Sequence, residues 1–133
     1  MPVYFESAEQ PSTQDLADLE KIYAAAPAWL LPPYANGNAL LEQGLAQKTL
    51  VAGRFNSRLL GAALLEKQTD RWLLSHLCVR ELTRNRGVAR RIVQEASRLA
   101  AEAGAALEVV IPEGQQHLCD LAREKSLIIA KTV

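Results

Sequence analysis

Apolar residues recur along this chain in two ways, and the switch between them marks its elements. Short apolar runs cover Val3 to Phe5, Thr49 to Phe55, Leu59 to Glu66, Trp72 to Val79, Leu107 to Ile111 and Leu127 to Ala130, which predicts six strands. Helical spacing takes over between them. Ser12 offers an N-cap and Asp15 an acidic first turn to a helix with Leu16, Leu19, Ile22 and Tyr23 on one face. Leu40, Leu41 and Leu45 predict a second helix from Asn38 to Ala46, and Ile92, Ala96, Leu99 and Ala103 a third from Val88 to Ala103, stopped by Gly104. A fourth is expected from about Gln115 to Lys125, after the break at Pro112 and Gly114. The predicted order is β-α-α-β-β-β-α-β-α-β, an α/β (α+β) arrangement.

Turn residues separate these elements. Asn56-Ser57-Arg58 and Gln68-Thr69-Asp70 have the length and composition of hairpin connections, so the second to fourth strands form an antiparallel meander. Pro27, Pro32, Pro33 and Asn36-Gly37 make residues 26–37 irregular. Trp29, Leu30, Leu31 and Tyr34 lie within that stretch; such apolar bulk either folds over the core or lines a substrate or partner surface.

Composition narrows the function. With 133 residues, 49% of them hydrophobic, the chain suits a single domain over residues 1–133. Fifteen basic and fifteen acidic residues cancel, which argues against a general nucleic-acid or anionic-membrane binder. Cys78 and Cys119 are far apart, as expected in a reducing compartment. No apolar run approaches the roughly 20 residues that span a bilayer, and the first residues lack a targeting layout, so a cytoplasmic location is expected.

The densest chemistry lies in Val79-Arg80-Glu81-Leu82-Thr83-Arg84-Asn85-Arg86-Gly87-Val88-Ala89, which joins a strand to a helix through a basic loop. A helix beginning at Val88 leaves its first N–H groups without intrahelical partners, and its macrodipole favours an anion there. Gly87 and Ala89 allow close approach to the main chain, and Arg84, Arg86, Arg90 and Arg91 add four cations around the turn. These are the needs of a polyphosphate. The alternative is a basic surface loop that only caps the helix.

The spacing of Arg84-x-x-Gly87-x-Ala89 after a strand and before a helix resembles motif A of the GNAT acetyltransferase superfamily. The resemblance implies a mixed central sheet with helices on both faces, here without the usual final strand, and acetyl-CoA as cofactor. It implies main-chain cradling of the cofactor's pyrophosphate and a strand end that admits the pantetheine arm. The cofactor-binding residues it implies are Leu77, Cys78, Val79, Thr83, Arg84, Asn85, Arg86, Gly87, Val88, Ala89 and Arg90.

Within the superfamily, Arg54-Phe55-Asn56-Ser57-Arg58-Leu59-Leu60 and the Val79–Val88 phrase are similar to the PanZ (PanM) group. That group comprises maturation factors and acetyl-CoA sensors for the pyruvoyl-dependent aspartate α-decarboxylase. The likeness runs from about Val51 to Ala96 and through the first helix, and ends after Gly104. It implies Arg54 and Asn56 as partner contacts, although an asparagine also suits a hairpin turn on its own account.

Catalysis is the other expectation. An active N-acetyltransferase, working on a small-molecule or protein amine, needs a base and an acid for the departing thiolate. Many catalytic relatives place a tyrosine in the last helix where Ala122 stands in Leu121-Ala122-Arg123-Glu124-Lys125-Ser126-Leu127, and Tyr34 is the last tyrosine of the chain. His76 and Cys119 remain as catalytic candidates, each with an ordinary structural alternative. His117 and Cys119 diverge on a helix and no further ligand cluster accompanies them, so no metal is expected. Without a seventh strand the sheet ends on an edge that a second copy can cover.

Overall fold

The computed structural model describes residues 3–24, 26, 31, 34–80, 87–112 and 128–132, the last strands (110–112 and 128–132) by their backbone. Along the chain run β1 (Tyr4–Ser7), α1 (Thr13–Ala24), α2 (Gly37–Gln47), β2 (Leu50–Phe55), β3 (Arg58–Lys67), β4 (Arg71–Val79), α3 (Val88–Glu102), β5 (Ala106–Pro112) and β6 (Ile128–Thr132). The strands form one sheet in chain order, β1-β2-β3-β4-β5-β6. β1 to β4 are antiparallel, whereas β4 pairs β5 and β5 pairs β6 in parallel. A parallel neighbour needs a long crossover, which α3 supplies for β5. The helix expected near Gln115–Lys125 lies outside the described residues.

The element order follows the apolar pattern, and the shifts in boundary have local causes. Asn36 accepts a bond from the Ala39 N–H at 2.8 Å, so the Asn-Gly pair caps α2 and starts it at Gly37. Ser12 and Asp15 cap α1 reciprocally, each side chain bonding the other's N–H at 3.1 and 3.3 Å. β1 extends to Ser7 because its register with β2 continues to Val51.

The core lies on both faces of the sheet. One part packs α3, through Val88, Ile92, Val93, Ala96 and Ala100, against Val51, Ala63, Leu65, Trp72 and Leu74. The other packs α1 and α2, through Leu19, Ile22, Tyr23, Leu40 and Leu41, against Leu50, Ala52, Leu59, Ala62 and Leu64. Gly61 lets α3 seat closely: a Cβ there would meet Val88 Cγ1 at 2.8 Å.

The face of α1 differs from the expectation at one position. Leu16 is exposed, and the fully buried residue beside Leu19 is Asp18. Its carboxylate accepts from Arg58 Nε at 3.0 Å, from Arg58 Nη2, from the Leu59 N–H at 3.1 Å and from Gln14 Nε2 at 3.1 Å. A carboxylate so surrounded by donors can be buried, and it fastens α1 to the start of β3. These bonds, the Arg58 guanidinium foremost, draw its pKa from 3.8 down to about 2. The lowered pKa makes the network fully stabilising above about pH 4, and its contribution fades as pH falls toward 2. Asp18→Asn is expected to lower unfolding free energy at neutral pH by about 3 kcal/mol. It should also flatten the dependence of the urea midpoint on pH below about 4, so equal acid sensitivity in variant and parent would contradict the assignment.

Candidate cofactor site at the parting of two strands

β4 is both the last strand of the meander and the first of the parallel set. Its ladder with β5 runs from Arg71–Ala106 to Leu74–Val109 and, among the described residues, goes no further. Beyond that point β4 stays paired with β3 as far as Val79, while β5 pairs with β6 as far as Pro112. The two central strands thus separate toward their C-terminal ends, where open α/β sheets receive ligands.

An extra residue in β4 coincides with the separation. Leu64 pairs with Ser75 and Ala62 with Cys78, so three steps on β4 oppose two on β3. His76 sits at φ 54°, a left-handed conformation uncommon for a residue with a side chain. The bulge changes which face each side chain meets. Before it, Trp72 and Leu74 belong to the α3-side core; after it, Leu77 and Val79 pack on that core and Cys78 is buried in the other.

Contacts from α1 hold the bulge. The Tyr23 hydroxyl donates to the His76 carbonyl at 2.8 Å, and Cys78 Sγ donates to the Ile22 carbonyl at 3.4 Å. Tyr23 is almost wholly buried, and burial pushes its pKa well above 10, so the hydroxyl keeps its proton for that bond. The His76 ring meets Ser75 Oγ through Nδ1 at 2.9 Å and lies edge-on to Tyr34, with ring centroids 5.3 Å apart. Leu31 and Tyr34 pack on the α1/α2-side core, so this part of the irregular stretch folds over it; Trp29 and Leu30 lie outside the described residues.

The other side of the candidate site is the start of α3. Gly87 stands at the N-cap with φ 83°, and no side chain among the described residues caps the helix. Among the described residues, a Cβ added at Gly87 would meet nothing within 4 Å. Val88 buries its side chain against Gly61 and Gly53. Ala89 is half-buried and Arg90 exposed.

The expected ring of four cations needs correction. Arg91 Nε donates to the Val3 carbonyl at 3.0 Å and its Nη1 pairs with Glu95 at 3.1 Å, so this arginine ties α3 to the residue just before β1. Cys78 also differs from a cofactor-lining side chain, since its thiol is turned into the core. Thr83, Arg84, Asn85 and Arg86 lie outside the described residues, as do His117, Cys119 and Ala122. Of the catalytic candidates only His76 is described, and it sits at the bulge.

At the β2–β3 turn, Asn56 is exposed with φ 49°, and Ser57 follows at 67°. Positive φ at both residues is what a two-residue hairpin loop demands, so Asn56 has the turn role. Arg54 is engaged by the fold. It donates to Glu6 through Nε at 3.1 Å and Nη2 at 2.6 Å, and to Asp15 through Nη2 at 2.9 Å. No local motif marks Glu6, Asp15 or Asp18 for these bonds; the signal the sequence carries is a pair of carboxylates, Asp15 and Asp18, beside the apolar stripe of α1. Among the described residues no group of three metal-type side chains gathers, and no helix is long and apolar enough to cross a membrane.

Comparison with known proteins agrees with this geometry. Residues 2–123 match the family profile described as Acetyltransferase (GNAT) domain, PanZ. The chain is 36% identical over 90 residues to the PanD regulatory factor of Salmonella typhimurium, a match covering 68% of this chain and 62% of that protein. Its fold is similar to Ard1 from Thermoplasma volcanium, with a TM-score of 0.71 at 12% identity, covering 98% of this chain and 85% of that one. It is likewise similar to a GNAT family acetyltransferase from Elizabethkingia anophelis with acetyl-CoA bound, with a TM-score of 0.62 at 14% identity over 93% and 73% of the two chains.

The bulge supplies a direct test. Tyr23→Phe removes the donor to a part-buried carbonyl and is expected to cost about 1–2 kcal/mol in a urea titration. Amide exchange should quicken at His76 to Cys78 and stay unchanged in the middle of α3; uniform acceleration across both would argue against a local role.

Proposed function

The chain belongs to the PanZ type of GNAT acetyltransferase domain, and on that premise we propose that it binds acetyl-CoA and regulates pyruvoyl-dependent aspartate decarboxylase. The observation that carries the cofactor half is the end of the β4–β5 ladder at Leu74–Val109, together with a helix N-terminus at Gly87 that no described side chain caps. A chain of methylenes and amides such as pantetheine suits the space between separating strands, because strand edges offer main-chain donors and acceptors. A diphosphate suits the N–H groups from Gly87 to Ala89, which the dipole of α3 reinforces. Glycine at position 87 fits that use, since it takes φ 83° without strain and brings no side chain into the path of an anion. Arg84, Arg86 and Arg90 would add charge, and Thr83 and Asn85 polar contacts, in this reading.

The partner half rests on the likeness to the PanD regulatory factor, whose length the match spans to 62%. A regulator needs binding without turnover. Ala122 in place of the acid tyrosine supports that role, as does a His76 ring already engaged with Ser75 and Tyr34. The alternative, transfer of acetyl from acetyl-CoA to an amine, would call on His76 or Cys119 for proton movement.

Calorimetric titration with acetyl-CoA and with CoA, followed by a thiol-release assay with an amine panel, tests both halves. Expected are saturable binding of acetyl-CoA and no thiol release above background. Arg84→Ala should weaken binding about tenfold, as loss of one charge-assisted phosphate contact implies. Absence of binding to either ligand would refute the cofactor assignment, and amine-dependent thiol release abolished in His76→Ala would favour the transferase.

A further inference from the structure

Two neighbouring side chains meet at the bulge, which in a regular strand they could not do. Successive residues of a strand point to opposite faces of the sheet, and this keeps the side chains of adjacent residues apart. At His76 the left-handed φ of 54° breaks the alternation, and the ring Nδ1 lies 2.9 Å from Ser75 Oγ. With the ring proton on Nε2, the Ser75 hydroxyl donates to Nδ1, the arrangement in which a histidine base activates a hydroxyl nucleophile. The fold holds the pair: the Tyr23 hydroxyl bonds the His76 carbonyl at 2.8 Å, and Tyr34 lies edge-on to the ring. Ser75 and His76 are both half-buried. Leu74 pairs with Val109 and belongs to the α3-side core, so Ser75 is the first residue of β4 past the described ladder with β5 and points to the other face. Tyr34, which the His76 ring meets, packs on the core of that face.

We infer that Ser75 is an acyl acceptor and His76 its base, so that the chain takes the acetyl group of bound acetyl-CoA onto itself. The inference rests on the acetyl-CoA reading proposed above. A diphosphate at Gly87 would sit at the start of α3, on one face of the sheet. An arm passing between the separating ends of β4 and β5 would carry its thioester to the opposite face, where Ser75 and His76 stand. Ser75 Oγ attacks the thioester carbonyl carbon as its proton passes to His76 Nδ1. An Oγ–C bond forms, the C–S bond breaks with its electron pair leaving on sulfur, and His76 returns the proton to the departing thiolate. The products are an O-acetylserine and CoA thiol, and nothing else is consumed. A histidine that serves a hydroxyl on its own strand needs no acceptor amine, so the reaction stops after one equivalent, unlike the transferase alternative.

Mass spectrometry of the chain, incubated with acetyl-CoA and no amine and then quenched in acid, gives the test. Expected is one added acetyl group per chain, on the peptide that contains Ser75 and removed by hydroxylamine, as an ester is and an amide is not. Ser75→Ala should take none. His76→Asn tolerates the left-handed backbone but supplies no base, and should slow the labelling about 100-fold. p-Nitrophenyl acetate delivers acetyl without CoA, and should label Ser75 with the same dependence on His76. Saturable acetyl-CoA binding in the calorimeter with no acetyl on Ser75 would overturn the inference and leave the cofactor reading standing. Label that survives Ser75→Ala, or that is indifferent to His76→Asn, would overturn it equally. A chain that binds no acetyl-CoA would fail the cofactor reading itself, and acetyl-CoA as the donor to Ser75 with it.

Discussion

One extra residue in β4, held by a hydrogen bond from the Tyr23 hydroxyl to the His76 carbonyl, organises the rest of this structure. A strand cannot gain a residue without leaving a main-chain group out of its ladder, and a buried carbonyl left unbonded is costly. Tyr23 answers that need from α1, and the Cys78 thiol bonds back to the Ile22 carbonyl at the same level. The bulge lies where the β4–β5 ladder ends, and so fixes where the sheet separates. It also reverses the faces of β4, which lets one strand feed the α3-side core at Trp72 and Leu74 and the α1-side core at Cys78.

Ion pairs set α1 on the sheet with similar economy. Asp18 is fully buried yet fully bonded, and Asp15 three residues earlier joins Glu6 in gripping Arg54. Both carboxylates reach the β2–β3 hairpin, through Arg58 and Arg54 on either side of its turn. The first turns of α1 are therefore anchored by charge and its last by Tyr23. Next to the bond that the Tyr23 hydroxyl makes to the His76 carbonyl, the His76 ring lies edge-on to Tyr34.

Holding a thioester and transferring its acetyl group are separable tasks. Binding needs main-chain donors, separated strands and a helix N-terminus; transfer needs in addition a base and an acid poised near the reacting atoms. The described residues are rich in the first set. In the second they offer His76, whose Nδ1 already meets a serine hydroxyl.

Periodicity alone placed every described strand and helix within a few residues, because apolar spacing and turn chemistry act over short stretches of chain. The basic loop before Gly87 was legible for the same reason: strand, spacing and helix start are all local. Tertiary structure decided the rest. Leu16 gave way to Asp18 at the buried position of α1 because Arg58, 40 residues on, supplies the donors a buried carboxylate needs. Arg91 left the expected cation cluster for the Val3 carbonyl, 88 residues back. Arg54 turned inward because Asp15, 39 residues away, and Glu6 on the neighbouring strand come within reach only once α1 docks on the sheet. The bulge at His76 leaves no mark on the apolar run of β4, since its stabilising partner is a tyrosine 53 residues earlier. A sequence states which residues can bury, turn or carry charge; which of them meet is settled by packing two helices and a sheet edge against one another.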